Sequence, residues 1–216
     1  MKQSNIMNLK NLFIISIFSF LPLSIIIGNL IFQLNLIIII IFFLLYFINH
    51  RDKINFFYDK NEIKIFIIVL SYLVFNIFIS EDWTLSIRRN LLYFEFFLII
   101  FSFRYFLSEN NILKIVISNW FLIILIVSID IFFEYYFGFN TLGFKNETGY
   151  TGRIASFFID ELIVGYFVLS FAIPIFSYFY LNNKYKLSIF FIILAAAAVV
   201  ISGERASSLR IVIGLI

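Results

Sequence analysis

The chain alternates long apolar runs with short polar breaks. The runs fall near residues 11–29, 31–49, 64–80, 89–107, 112–136, 160–181 and 187–203. An eighth starts around Ser207 and is still apolar at Ile216. A hydrocarbon core of ~30 Å takes about 20 apolar residues in helical form, so each run is long enough to be read as a span. The predicted fold class is therefore all-α: a polytopic transmembrane helix bundle of seven complete spans plus the start of an eighth, in one membrane domain over residues 1–216. Because the last run is cut in mid-membrane, the chain is expected to be the N-terminal part of a longer protein. Lys2 and Lys10 ahead of Leu12–Ile27 imitate a signal peptide. No small-residue cleavage site follows, and another apolar run comes at once, so an uncleaved first span is expected. Pro22 and Pro174 should kink their spans. The four alanines at 195–198 predict a close helix–helix contact.

Composition sharpens this picture. Hydrophobic residues make up 62%, charged residues 13%, and the mean hydropathy is +1.03, against about 45–50% apolar and about 25% charged in soluble domains. The 32 phenylalanines exceed what a water-soluble core of this size can hide, so lipid must solvate much of the surface. A net charge of +3 spread between apolar runs is no nucleic-acid signature. Cysteine is absent, which excludes disulfides, thiolate metal sites and a cysteine nucleophile. His50 is the single histidine, so a multi-histidine metal site is excluded too, and no metal or cofactor is expected.

Orientation follows from the positions of lysine and arginine. With the N-terminus inside, the cytoplasmic segments hold Lys2, Lys10, Arg51, Lys53, Lys60, Lys64, Arg104, Lys114, Lys184 and Lys186. The outside segments hold Arg88, Arg89, Lys145, Arg153, Arg205 and Arg210. Five of these six outside cations are arginine. Guanidinium binds phosphate bidentately and stays charged at any working pH, so arginines that defy the inside bias suit an anionic ligand at the membrane surface.

Polar chemistry collects in three places. Residues 130–165 hold five of the eight glycines, and Asp130 and Glu134 there share a helix face. Arg153 leads into SFFIDE, where Asp160 and Glu161 enter the sixth span. An ionisable group near the apolar zone costs ~2.5–3.5 kcal/mol and tends to mark a paired or functional site. Two readings stand for these acids: orientation of Arg153 or Arg205, or, for Asp160 and Glu161, capping of a helix N-terminus. The second place is SGERASS, residues 202–208. It is either a tight turn whose Arg205 snorkels to headgroups, or a phosphate-binding turn. In the second case Gly203 permits the bend, and the next helix adds its N-terminal amides. The third is Arg88 and Arg89 after Glu81-Asp82-Trp83: plain interfacial residues, or support for an anionic pocket with Glu95 as partner. Asn146-Glu147-Thr148 matches a glycosylation sequon by chance.

Taken in order, these segments resemble a known family. GRIASFFIDELIVGYFVLSFAIPIF, with Arg153, Asp160, Glu161, Gly165 and Pro174, looks like the central segment of bacterial O-antigen ligases and O-antigen polymerases. ISGERASSLRIVIGLI, with Gly203, Glu204 and Arg205, is similar to the start of that family's most recognisable domain. Asp130, Glu134 and Gly138 agree with it in order and spacing, and the resemblance covers about residues 80–216. It implies a GT-C-like membrane glycosyltransferase of the bacterial inner membrane with its active side periplasmic. Such an enzyme moves a glycan from an undecaprenyl-diphosphate carrier to lipid A-core or another glycan, without metal or nucleotide. Arg205 would then stabilise the departing diphosphate, with Arg153 at the periplasmic mouth of the cavity. Arg88, Arg89, Asp160, Glu161, Gly203 and Glu204 would serve substrate binding. The family's large periplasmic loop and its histidine lie beyond the eighth span, and His50, expected in the cytoplasm, cannot replace that histidine. The 216 residues are thus expected to be an inactive donor-side portion. A transporter or flippase for an anionic lipid or metabolite would use the same arginines without chemistry, and a membrane scaffold would make their placement coincidental. No internal repeat of the kind common in transporters is visible.

Overall fold

Runs of Ile, Leu and Phe can leave water only if their backbone amides bond within the same segment, which a helix alone achieves for a single strand of chain. A computed structural model describes residues 9–49, 60–145, 152–158 and 161–214, and among them the ordered elements are all helical. They are α1 (Leu9–Ser19), α2 (Leu21–Ile27), α3 (Asn29–Asn49), α4 (Lys60–Ile79), α5 (Trp83–Phe106), α6 (Asn110–Phe137), α7 (Val164–Leu181), α8 (Tyr185–Ile201) and α9 (Arg205–Gly214). A 3-10 turn, Ser156–Phe158, lies between α6 and α7.

Among the described residues, α3, α6 and α7 are long and apolar enough to cross a membrane, and α1 with α2 makes a fourth if their 42° bend lies within one span. Seven complete spans were expected, and the shortfall has physical causes. α8 has 17 residues, about 26 Å at 1.5 Å per residue, short of a ~30 Å core. The apolar part of α4, Lys64–Ile79, is shorter still. α5 is long, but Arg88, Arg89, Glu95 and Arg104 are strung along it. α9 is described for 10 residues. Large apolar side chains face outward throughout, among them Leu30, Ile68, Phe75, Phe78 and Ile193. Helices of this length with outward apolar side chains are the properties of a membrane protein.

The chain divides into two compact units, residues 1–32 with 110–216, and residues 33–109. In the first, α6 packs against α1, α7 and α8. Its buried face presents Val116, Trp120, Ile124, Val127 and Ile131. Trp120 meets Phe171 edge-on at 5.1 Å between centroids, and Phe121 meets Phe191 at 5.1 Å. Ala195 and Ala198 are fully buried where α8 packs on α7 and α6, the close contact their small size predicts. In the second unit, Phe66 of α4 packs edge-on to Phe97 and Phe101 of α5. The Asn90 side chain donates to the Leu73 carbonyl at 2.9 Å. Asp82 caps α5, accepting from the amides of Thr84 and Leu85 and the Thr84 hydroxyl. The Thr84 hydroxyl, and then the Leu85 amide, hold its carboxyl below the usual range.

The expected break at Pro22 is present and explains a buried tryptophan. Proline has no N–H for the carbonyl four residues back, which is Phe18. Trp120 of α6 supplies the missing donor, its Nε1 giving a 2.8 Å bond to the Phe18 carbonyl. Trp120→Phe therefore removes that bond and costs about 1 kcal/mol. In the Pro22→Ala background the backbone regains a donor, so the double variant loses less than the two single variants summed. Unfolding titrations in bicelles measure this cycle; strict additivity would show that the indole does not replace the proline's amide. Pro174 lies within α7, which runs through it.

Candidate site at one end of the α6, α7 and α9 bundle

Two carboxylates four residues apart on a buried helix face must find donors, because burying an unpaired charge is prohibitive. Asp130 and Glu134 of α6 are both buried. Glu134 accepts from the backbone amides of Ala155 at 3.3 Å and Ser156 at 2.6 Å. Asp130 accepts from the Ser156 hydroxyl at 2.5 Å and the Thr141 amide at 2.7 Å. The Asn140 side chain donates to the Ser156 carbonyl at 3.0 Å. Ser156 sits at φ +52°, a conformation non-glycine residues hold only when their surroundings impose it. Here its amide, hydroxyl and carbonyl are all engaged. The result is an ordered strap, residues 152–156, that carries Arg153.

The strap lies on the turn between α8 and α9. The Ile154 amide donates to the Ser202 carbonyl at 3.2 Å. Gly203 has φ +76°, and a Cβ added there would lie 2.5 Å from the Gly152 carbonyl oxygen and 3.5 Å from the Arg153 Cα. Only glycine satisfies both demands. Gly203→Ala is expected to cost about 2–4 kcal/mol, from the left-handed backbone and the clash together. The unfolding midpoint checks this, and an unchanged midpoint would mean that strap and turn are not in contact.

Glu204 is the next link. It is buried and lies just before α9. Its carboxylate accepts from the amides of Gly165 at 3.0 Å and Tyr166 at 2.9 Å, and from the Ser207 hydroxyl at 2.7 Å. The N-cap residue of α7, Ile163, offers no side-chain bond. Glu204, far along the chain, does the capping, and its charge meets the positive ends of α7 and α9 together. Gly165 leaves room for it: a Cβ there would meet the Ser202 hydroxyl at 2.5 Å and the Glu204 carboxylate at 3.2 Å. Arg205 opens α9 and is exposed, as is Arg153. Arg210 places its guanidinium 5.5 Å from the centroid of the Tyr166 ring.

Four of the expected site residues, Arg153, Gly203, Glu204 and Arg205, thus gather at one end of the bundle, though their roles shift. Glu204, expected to bind substrate, gives its carboxylate to protein donors and acts as a positioning residue. It also occupies the helix N-terminus that was expected to add amides and dipole to a phosphate. Asp130 and Glu134, expected to orient an arginine side chain, hold the backbone just beyond Arg153. Glu161 is exposed two residues before the α7 N-cap, its amide donating to the Phe158 carbonyl at 3.1 Å. The capping role foreseen for it belongs to Glu204. Asp160 and the sequon lie outside the described residues, as does His50. Arg88 and Arg89 are exposed in the first turns of α5, in the other unit. Asn140, Ser156 and Tyr166 escaped the sequence reading, and Ser207 stood there only as a small residue that lets a ligand or a neighbouring helix approach closely. The Gly-Phe-Asn-Thr-Leu-Gly turn signal around Asn140 was the one available cue.

Among the described residues no three His, Cys, Asp or Glu side chains come together in a way that would hold a metal ion. Arg153 and Arg205 bring exposed positive charge to this end of the bundle, and guanidinium is the side chain that suits an oxyanion of phosphate type. No family model, curated protein or solved structure matches the chain.

Proposed function

We propose that the protein is a glycan transferase of the bacterial inner membrane. It would take a glycan from an undecaprenyl-diphosphate carrier and pass it to lipid A-core or to another glycan, in the manner of the O-antigen ligases and polymerases its motifs resemble. The observation that carries this reading is the convergence of three motifs far apart in sequence. Asp130 and Glu134 hold the Arg153 strap, the strap bonds to the turn before Arg205, and Glu204 locks that turn to α7.

In the proposed reaction an acceptor hydroxyl attacks the anomeric carbon. A new C–O bond forms as the bond to the diphosphate breaks, and the electron pair leaves with the diphosphate. The hydroxyl proton passes to a base, and nothing is oxidised or reduced. Negative charge grows on the leaving group, and Arg205, with Arg153, supplies the compensating charge. Such stabilisation is worth most when the donors are fixed in place beforehand. No nucleic acid takes part. Deletion of the full-length gene in its own host tests the proposal. Surface polysaccharide should lose its long-chain forms on a gel, lipid-linked donor should accumulate, and the wild-type gene should restore both. Unaltered surface polysaccharide in the deletion strain would refute it.

A further inference from the structure

α6 has 28 residues, about 42 Å of helix. The hydrocarbon core is ~30 Å thick, and the bilayer with its headgroups about 40–45 Å. An end of α6 therefore reaches the headgroup layer. Its C-terminal turn and the loop that follows are unusually apolar and exposed: Tyr135 60%, Tyr136 78%, Leu142 65% and Phe144 50%. This loop is also tightly built. The Asn140 side-chain oxygen accepts from the amides of Leu142 and Phe144 at 3.1 and 2.8 Å, and the Asn140 amide donates to the Phe144 carbonyl at 2.9 Å. Thr141 gives its amide to Asp130. The loop thus satisfies its polar groups inward and turns its apolar side chains outward. The α7–α8 turn is mixed instead, exposing Asn182, Asn183 and Lys184 beside Leu181.

We propose that residues 135–144 are an interfacial anchor, with the aromatic rings and Leu142 sunk into the boundary between lipid headgroups and acyl chains. The exposed Lys145 that follows then lies at the level of the lipid phosphates. Aromatic rings prefer this layer, and a cation beside them adds attraction to anionic headgroups. The occupant is lipid rather than protein because the patch continues a helix of spanning length and lies where that helix outruns the hydrocarbon. Asp130 gives the anchor a second role. One of its oxygens holds Thr141 of the anchor and the other holds Ser156 of the strap. The depth of the loop therefore sets the depth of Arg153, at the level of lipid-borne phosphate. This inference stands without the glycan-transfer reading.

The chain contains no cysteine, so single-site labelling is direct. Leu142→Cys and, as a water-facing reference, Asn183→Cys are made in this chain, spin-labelled, and reconstituted in phosphatidylethanolamine–phosphatidylglycerol vesicles. At position 142, collisions with oxygen should exceed those with an aqueous nickel chelate, at a depth within about 10 Å of the phosphates. At position 183 the order should reverse. A label at 142 more accessible to the chelate would make the loop water-facing. A label shielded from both reagents would mean that protein covers it. Either result overturns the proposal.

Discussion

Glu204→Ala should lower the unfolding free energy by about 3–4 kcal/mol. The side chain accepts from Gly165, Tyr166 and Ser207. Alanine leaves these buried or half-buried donors without a partner. Each such orphan costs about 1–3 kcal/mol, and loss of a helix cap alone costs about 1 kcal/mol. The donors are not all equally enclosed, so the sum falls below three full penalties. Glu204→Gln keeps one acceptor oxygen in the same shape but turns an amide group toward a donor, and should cost about 1–2 kcal/mol. Unfolding in bicelles gives both numbers. An Ala variant within about 0.5 kcal/mol of wild type, the range of an ordinary surface change, would mean that Glu204 does not cap α7.

Arg205→Ala should do the reverse: little change in stability, a large loss of transfer. Arg205 is exposed at the first position of α9, where alanine is well tolerated, so stability should stay within about 0.5 kcal/mol. If its guanidinium balances charge on the departing diphosphate, its removal should cut turnover by about 100- to 1,000-fold. KM for the lipid-linked donor should move less than kcat, because the charge exists mainly in the transition state. Arg205→Lys retains the charge but loses the planar fork and should fall between the two. A KM effect alone would make Arg205 a docking residue instead. Full activity in the Ala variant would remove it from the site.

Much of the architecture was legible in the apolar runs, because a helix in lipid needs little more than length and hydropathy. Span counting failed where those two quantities part company. α8 is apolar but ends at Ile201, and α5 is long but charged. The site was legible as residues but not as roles. The spacing of Asp130 and Glu134 on one face could be read directly. Their partners could not, because the amides of Ala155 and Ser156 belong to a backbone that carries no mark in the sequence. Glu204 misled for the same reason: its acid character suggested a ligand contact, while its donors are the backbone at Gly165 and Tyr166 and a serine hydroxyl. Gly203 was recognised as a turn, but the Gly152 carbonyl that makes glycine obligatory there is visible only in three dimensions.

The central claim is that the arginines at this end of the bundle serve bond cleavage rather than passage of an intact lipid. Its most direct test uses the full-length protein in vesicles, with a polyprenyl-diphosphate donor labelled in both glycan and phosphate and a suitable acceptor. The account predicts that free polyprenyl diphosphate appears in step with glycan on the acceptor, and that both fall together in Arg205→Ala. A donor that changes leaflet with its glycan still attached, releasing no diphosphate, would contradict it and make the protein a carrier.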